Sequence, residues 1–352
     1  MINLYLQNNQ MAGIWRPIFA FLLSVACTLL IGPQVLRVLR KLKLGQTIYQ
    51  LGPESHQKKQ GTITMGGVMF VLVTCIVAAA LHIGRYETND FLLILILLSL
   101  LSMIIGFVDD YIKVIKKRNL GLVWWQKLIG QVLIGVAFSA YCYHNPLIGS
   151  RIIVPFFNIE WDLGIFYTPL MTFAIVFMTN SANLLDGLDG LLSSCAVIGS
   201  AAWGLMALFT SLSAVAGWKP ELIANLQNVG VFAMALSGAC IGFLRFNRHP
   251  AKVFMGDTGS MFIGGATVGM AMLLRMQLYL VLIAFTMVIS SLSVILQVSY
   301  FKITHGKRIF KMSPIHHHFE KSNMTENQIV AMYSIVTGVL SLAVLFSMIL
   351  RL

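Results

Sequence analysis

Charge is what this sequence has least of. Asp, Glu, Lys and Arg make up 11% of its 352 residues and hydrophobic residues 57%, where a soluble domain carries roughly 25% charge. That balance excludes an ordinary soluble protein and points to an integral membrane protein. Acidic residues are the scarcer sign, thirteen against 25 Lys and Arg, for a net charge of +12. Cysteine is sparse as well. Cys27, Cys75, Cys142, Cys195 and Cys240 all fall in apolar runs without C-x-x-C spacing, which argues against a disulfide framework or a cysteine zinc site and leaves small packing residues. A cleavable leader is not apparent, because the basic residues follow the first apolar run instead of preceding it, as suits an uncleaved first span. With no clear repeat or low-complexity linker, residues 1–352 read as a single domain.

What is present is a series of apolar runs. Crossing about 30 Å of hydrocarbon takes about 20 residues, and ten runs approach that length: 17–36, 65–83, 91–108, 129–145, 167–185, 191–212, 227–244, 260–276, 278–300 and 329–350. The second, fourth and eighth carry the weakest pattern, being short or rich in glycine. The expected fold is therefore an all-α polytopic membrane protein. Lys and Arg alternate across these spans, with nineteen in the loops after spans one, three, seven and nine and six on the other side. By the positive-inside rule the rich side is cytoplasmic and both termini lie outside. The net charge then belongs to one face, to which anionic lipid head groups alone give a use, and nucleic acid is not an expected partner. On the outer side RIIVPFFNIEWDLG (151–164) has β-branched and aromatic residues about a turn near Asn158, the pattern of a small external hairpin.

The carboxylates are more telling than the cations. Five aspartates fall in three short clusters, each at a cytoplasmic span boundary: Asp109 with Asp110, Asp186 with Asp189, and Asp257. Asp109 and Asp110 close the third run. Neighbours on a helix point about 100° apart, so the two can flank one cation or divide metal and proton work; the plainer alternative is a solvated helix end with Asp110 paired to Lys113. In MTNSANLLDGLDG (178–190) two glycines and no basic residue interrupt an apolar stretch far too long for one crossing, so the chain reverses there. Steps of three leave Asn180, Asn183 and Asp186 on one helical stripe, while Asp189 follows Gly187 beyond the helix end. Intramembrane carboxylates without a function are rare; contacts between helices are the plainer use for any one Asn. In FLRFNRHPAKVFMGDTGSMFIGG (243–265) an aromatic, Phe254, precedes a glycine-flanked aspartate, a fair arrangement for a nucleobase and a metal and equally compatible with a turn. GPESHQKKQGTITMGG (52–67) offers Lys58, Lys59, Thr62 and Thr64. MSPIHHHFE (312–320) offers His316, His317 and His318, which cannot all face one way on a helix and suit hydrogen bonds to phosphate or sugar better than a metal site of their own. Transport sites lie near the bilayer midplane, so clusters at span ends argue against the other class considered, a cation-coupled transporter.

Taken together and in order, GPESHQKKQGTITMGG, GFVDDYIK, NLLDGLDGL, FLRFN, VFMGDTGS and SPIHHHFE resemble the phospho-N-acetylmuramoyl-pentapeptide transferase family over essentially the whole chain. SPIHHHFE separates it from the related polyprenyl-phosphate N-acetylhexosamine-1-phosphate transferases, the alternative reading, which would use another UDP-sugar. The resemblance implies Mg²⁺-dependent transfer of phospho-MurNAc-pentapeptide from UDP-MurNAc-pentapeptide to undecaprenyl phosphate, giving lipid I and UMP. The setting it implies is the bacterial cytoplasmic membrane, with the cleft facing the cytoplasm, membrane lipids around the chain and a homodimer as the assembly. Residue by residue, it makes Asp257 the Mg²⁺ ligand with Asp109 and Asp110 beside it, and Asp109 the base toward the lipid phosphate. Lys59, Asp189, Asn247 and Phe254 match the uridine pocket, with Phe254 as its stacking platform. Thr64, Asn183, Asp186, Gly187 and Gly256 match the adjoining wall for ribose and inhibitors, and His316, His317 and His318 the tri-histidine loop, with His317 among the catalytic set. In the family the ninth span is bent beside a lipid groove, a bend that 278–300 does not reveal. Ile63 stands where the family usually has proline, a change of loop stiffness more than of chemistry. Independently of the family, Mg²⁺ prefers carboxylate and phosphate oxygens, and a diphosphate needs its charge neutralised while one phosphate attacks another.

Overall fold

A computed structural model describes residues 2–42, 61–83, 90–116, 120–157, 159–213 and 220–349, with the backbone alone for 2–12 and 349. In chain order its helices are α1 (Ile2–Lys41), α2 (Val68–Ala80), α3 (Phe91–Ile115), α4 (Trp124–His144), α5 (Tyr167–Leu185), α6 (Leu191–Leu212), α7 (Pro220–Asn247), α8 (Gly256–Leu273), α9 (Tyr279–Ile283), α10 (Phe285–Ile303), α11 (Ile315–Glu320) and α12 (Glu326–Ile349). A two-stranded antiparallel hairpin, β1 (Arg151–Val154) and β2 (Ile159–Asp162), joins α4 to α5.

Seven of these helices, α1, α3, α5, α6, α7, α10 and α12, are long and apolar enough to cross a membrane. The three expected spans outside that set are the second, fourth and eighth, and α8 shows why. Every residue from Thr258 to Leu273 is buried, so this helix is wrapped by protein and uses Gly, Ala, Thr and Ser where a lipid-facing helix would use large apolar side chains. Around it α3 and α5 pack directly, while α7 carries α1, α2 and α6 on its other faces. At only thirteen residues, α2 is short for a crossing.

The expected ninth span, 278–300, is not one helix. It breaks at Ala284 (φ −100°, ψ 23°) into α9 and α10. Its halves have different neighbours, since α9 packs on α12 and α10 leans on α5. Neither Pro nor Gly marks the break, which is why the apolar pattern runs through it.

Candidate active site

The site is built where α3 meets the start of α8. Gly106 has no side chain at the crossing, and a β-carbon there would strike the Asp257 carbonyl, so the two backbones touch. Just beyond, Asp110 caps α8. Its Oδ1 accepts the Asp257 N–H (3.1 Å), and its Oδ2 accepts the Thr258 N–H (2.9 Å) and hydroxyl (2.7 Å). A carboxylate at a helix N-terminus satisfies orphan N–H groups and complements the helix dipole. Asp110 thereby fixes the position of its neighbour in space, Asp257.

Four side chains from four helices then converge. Asp257 Oδ2 receives Lys127 Nζ from α4 at 2.9 Å and Lys113 Nζ from α3 at 3.2 Å, while Oδ1 accepts Asn183 Nδ2 from α5 at 2.8 Å. Asn183 also donates to Ser260 Oγ at 3.1 Å. Lys113 lies 2.6 Å from Asp109 Oδ2, so its partner is i−4, not the Asp110 that spacing alone suggested, because Asp110 is turned into α8. Asp109 Oδ1 accepts the Leu122 N–H at 2.9 Å. Asp109, Asp110 and Asp257 each place one oxygen within 4.8 Å of the others, an all-oxygen set whose chemistry fits a hard divalent cation.

The neighbouring wall hangs on backbone pairing. Residues 63–67 run beside 253–255: Phe254 N–H donates to the Ile63 carbonyl (2.8 Å), Gly66 N–H to the Phe254 carbonyl (2.9 Å) and Gly67 N–H to the Met255 carbonyl (3.0 Å). A proline at 63 would retain the carbonyl used here, so the departure from the family pattern leaves this contact available. The pairing seats buried Thr64 and half-buried Phe254 beside Gly256, whose φ is +70°. Asn247 is spent on structure: its Oδ1 accepts from Ser193 Oγ (2.8 Å) and its Nδ2 donates to the Val253 carbonyl (2.9 Å), fastening the loop that carries Phe254.

As expected, the chain reverses at 186–190, between the end of α5 and the start of α6, with Gly190 at φ +76°. The expected stripe divides, however. Asn183 reaches Asp257, whereas Asn180 donates to Gln131 Oε1 of α4 at 2.9 Å, a contact between helices. Burial, and then the carboxylates of Asp257, Asp110 and Asp189, push the Asp186 carboxyl above the usual range. Asp189 is buried and accepts the Ala251 N–H (2.9 Å), with His249 Nδ1 at 3.1 Å. Glu326, at the start of α12, accepts the Asp189 N–H (3.2 Å) and stands 3.6 Å from the same His249 nitrogen. The three histidines diverge as expected. Buried His316 packs on Gly187, where a β-carbon would strike Nε2; His317 Nδ1 meets Glu320 at 3.0 Å; and His318 Nδ1 accepts the Lys311 N–H at 3.1 Å. Lys59 lies outside the described residues.

Sequence reasoning missed Lys113 and Lys127 as site residues, together with Ser260, His249 and Glu326. A signal for Lys127 existed: it is the one charged residue between Leu120 and His144.

A family model, glycosyl transferase family 4, matches residues 92–275, a segment that spans the aspartate cluster, the reversal and the Phe254 loop. Among curated proteins the chain is 44% identical to the phospho-N-acetylmuramoyl-pentapeptide-transferase of Clostridium botulinum (strain Alaska E43 / Type E3), over 91% of this chain and 93% of that protein. It is 44% identical to the enzyme of that name in Bacillus subtilis (strain 168), over 90% and 93%. To that of Heliobacterium modesticaldum (strain ATCC 51547 / Ice1) it is 45% identical, over 90% and 92%.

Proposed function

Because the chain belongs to glycosyl transferase family 4 and aligns nearly end to end with phospho-N-acetylmuramoyl-pentapeptide-transferases, we infer that it transfers phospho-MurNAc-pentapeptide from UDP-MurNAc-pentapeptide to undecaprenyl phosphate. A phosphate oxygen of the lipid bonds to the sugar-linked phosphorus, the anhydride bond to the nucleotide breaks, and UMP leaves with that electron pair. The products are UMP and lipid I, the membrane-bound peptidoglycan precursor. One observation carries the reading: Lys113, Lys127 and Asn183 converge on Asp257, beside Asp109 and at the capped start of α8.

Two anionic substrates must be brought together, which needs cations held ready in a site partly shielded from water. Lys113 and Lys127 meet that need, and their carboxylate partners keep them in place until phosphate oxygens arrive. Asp257, with Asp109 and Asp110, would hold Mg²⁺, which when bound adds a further positive charge at the diphosphate. Asp110 acts chiefly by positioning, through its cap on α8. Asp109 can take a proton from the lipid phosphate by yielding its Lys113 contact. Phe254 offers the uracil a stacking face, Asp189 an acceptor for its imide N–H, and Asp186, Thr64 and Gly256 the ribose side. The alternation of Lys and Arg supports a site facing the cytoplasm of a bacterial cell with both termini outside, and family resemblance supports a homodimer. The test is UMP release by the purified protein with UDP-MurNAc-pentapeptide, undecaprenyl phosphate and Mg²⁺. Release should require all three, and faster release with another UDP-N-acetylhexosamine would refute the substrate assignment.

A further inference from the structure

The hairpin between α4 and α5 sits at the end of the molecule away from the aspartates, separated from Lys127 by most of α4, roughly 25 Å at 1.5 Å per residue. Its two kinds of side chain are treated in opposite ways. The charged groups of β2 are paired: Glu160 with Arg275 Nη2 at 3.1 Å, and Asp162 with Arg151 Nε at 3.8 Å, Asp162 also accepting from Ser150 Oγ at 2.6 Å and the Gly164 N–H at 3.0 Å. Its large apolar groups are bare. Phe156 (59% exposed), Phe157 (64%), Ile159 (51%), Trp161 (55%), Ile165 (77%) and Phe166 (65%) follow one another through the turn, the outer strand and the entry to α5. Ile159 and Trp161 share one face of the strand, since successive residues alternate. The bare surface continues down α5 through Leu170 and Phe173, both exposed.

An exposed apolar patch marks a contact with protein or membrane. Here the patch runs directly into the outward face of a helix long and apolar enough to cross the bilayer, and it combines aromatic rings with charges already neutralised. Aromatic rings gather where head groups meet acyl chains, and paired charges lower the cost of leaving water. We propose that the hairpin is a membrane anchor that lies in the head-group layer of the leaflet opposite the active site, with Trp161 and its apolar neighbours against the first segments of the acyl chains, next to the head groups. The protein would thus be fixed in depth at this corner by a β-element, not by its spans alone.

The test isolates Trp161 emission as the difference between wild-type protein and Trp161→Phe, each in vesicles of phosphatidylethanolamine and phosphatidylglycerol. Lipids brominated near the head group should remove most of that emission, lipids brominated near the chain ends much less, and aqueous iodide little. Strong quenching by iodide with none by either lipid would overturn the proposal and leave the hairpin in water. Insensitivity to all three quenchers would overturn it too, by showing the ring covered by protein, for instance a second copy of this chain. Ile159→Lys with Ile165→Lys provides an independent check, because charges on the bare face should shift Trp161 from lipid toward iodide quenching while UMP release is unchanged. An unshifted pattern in that variant would count against the anchor.

Discussion

Two polar clusters stand at opposite ends of α3, about 30 Å apart by helix rise, and they end on different things. At the start of α3, Asp90 accepts the N–H groups of Leu92 and Leu93 and pairs with His82 at 2.6 Å, while Asn228 bridges Arg16 and both backbone groups of Ile83. Arg16 also donates to the Leu81 carbonyl. Most of these groups terminate on helix ends and loop backbone. At the other end Asp109, Asp257, Lys113, Lys127 and Asn183 terminate largely on one another. Side chain to backbone contacts staple a fold, because the backbone partner has nowhere else to go. Side chains that satisfy each other can exchange partners, and such a cluster can receive a ligand. In an apolar chain the partner of a polar residue therefore says more than its presence.

The comparison breaks if the two ends respond alike to substitution. The largest expected effect is that of Asp257→Asn, which keeps shape but removes the charge that two lysines meet and that a hard cation would need. UMP release should fall by about two to three orders of magnitude, on the scale of losing one preorganised electrostatic group, with the fold retained by circular dichroism in detergent. Lys127→Met should follow, lowering turnover roughly ten- to a hundredfold, as for a charge-assisted contact of about 1.5–3 kcal/mol. It also sharpens the contrast, because a mere staple at 127 would lower thermal stability and spare turnover. Phe254→Ala should weaken binding of the UDP-sugar about tenfold by loss of base stacking, while the KM for the polyprenyl phosphate stays near wild type. Asn228→Leu at the stapled end should leave the specific activity of folded protein unchanged and cost about 1–3 kcal/mol of stability, read as a lower unfolding temperature in detergent. Loss of activity there at full stability would erase the distinction.

Much of this was legible in the sequence because burial in lipid imposes length and composition. Phe91 does begin α3 and the glycines of DGLDG do reverse the chain, whereas Asp257, expected between two spans, lies in the first turn of α8. What escaped was whatever depends on neighbours. The break at Ala284 has no sequence mark, since it follows from two helix halves choosing different partners. Asn180 and Asn183 share a stripe and a residue type, yet one meets Gln131 and the other Asp257. The pair Asp109 and Asp110 looked alike, but their roughly 100° divergence sends one toward Lys113 and the other into a helix cap.

Gly256 gives the site a particular vulnerability to slow change. A β-carbon at this position would collide with Asp110 Oδ2 and lie 2.9 Å from Thr64 Oγ1, in a backbone conformation that L-residues rarely adopt. A bacterium under pressure from an antibiotic that occupies this wall would ordinarily gain resistance by adding a methyl group where the drug presses and the substrate does not. At residue 256 even alanine displaces the carboxylate that caps α8, so shutting out the drug there also unseats Asp257. Resistant lineages are expected to carry their substitutions at other positions, and sequencing of selected escape mutants would show whether position 256 stays glycine.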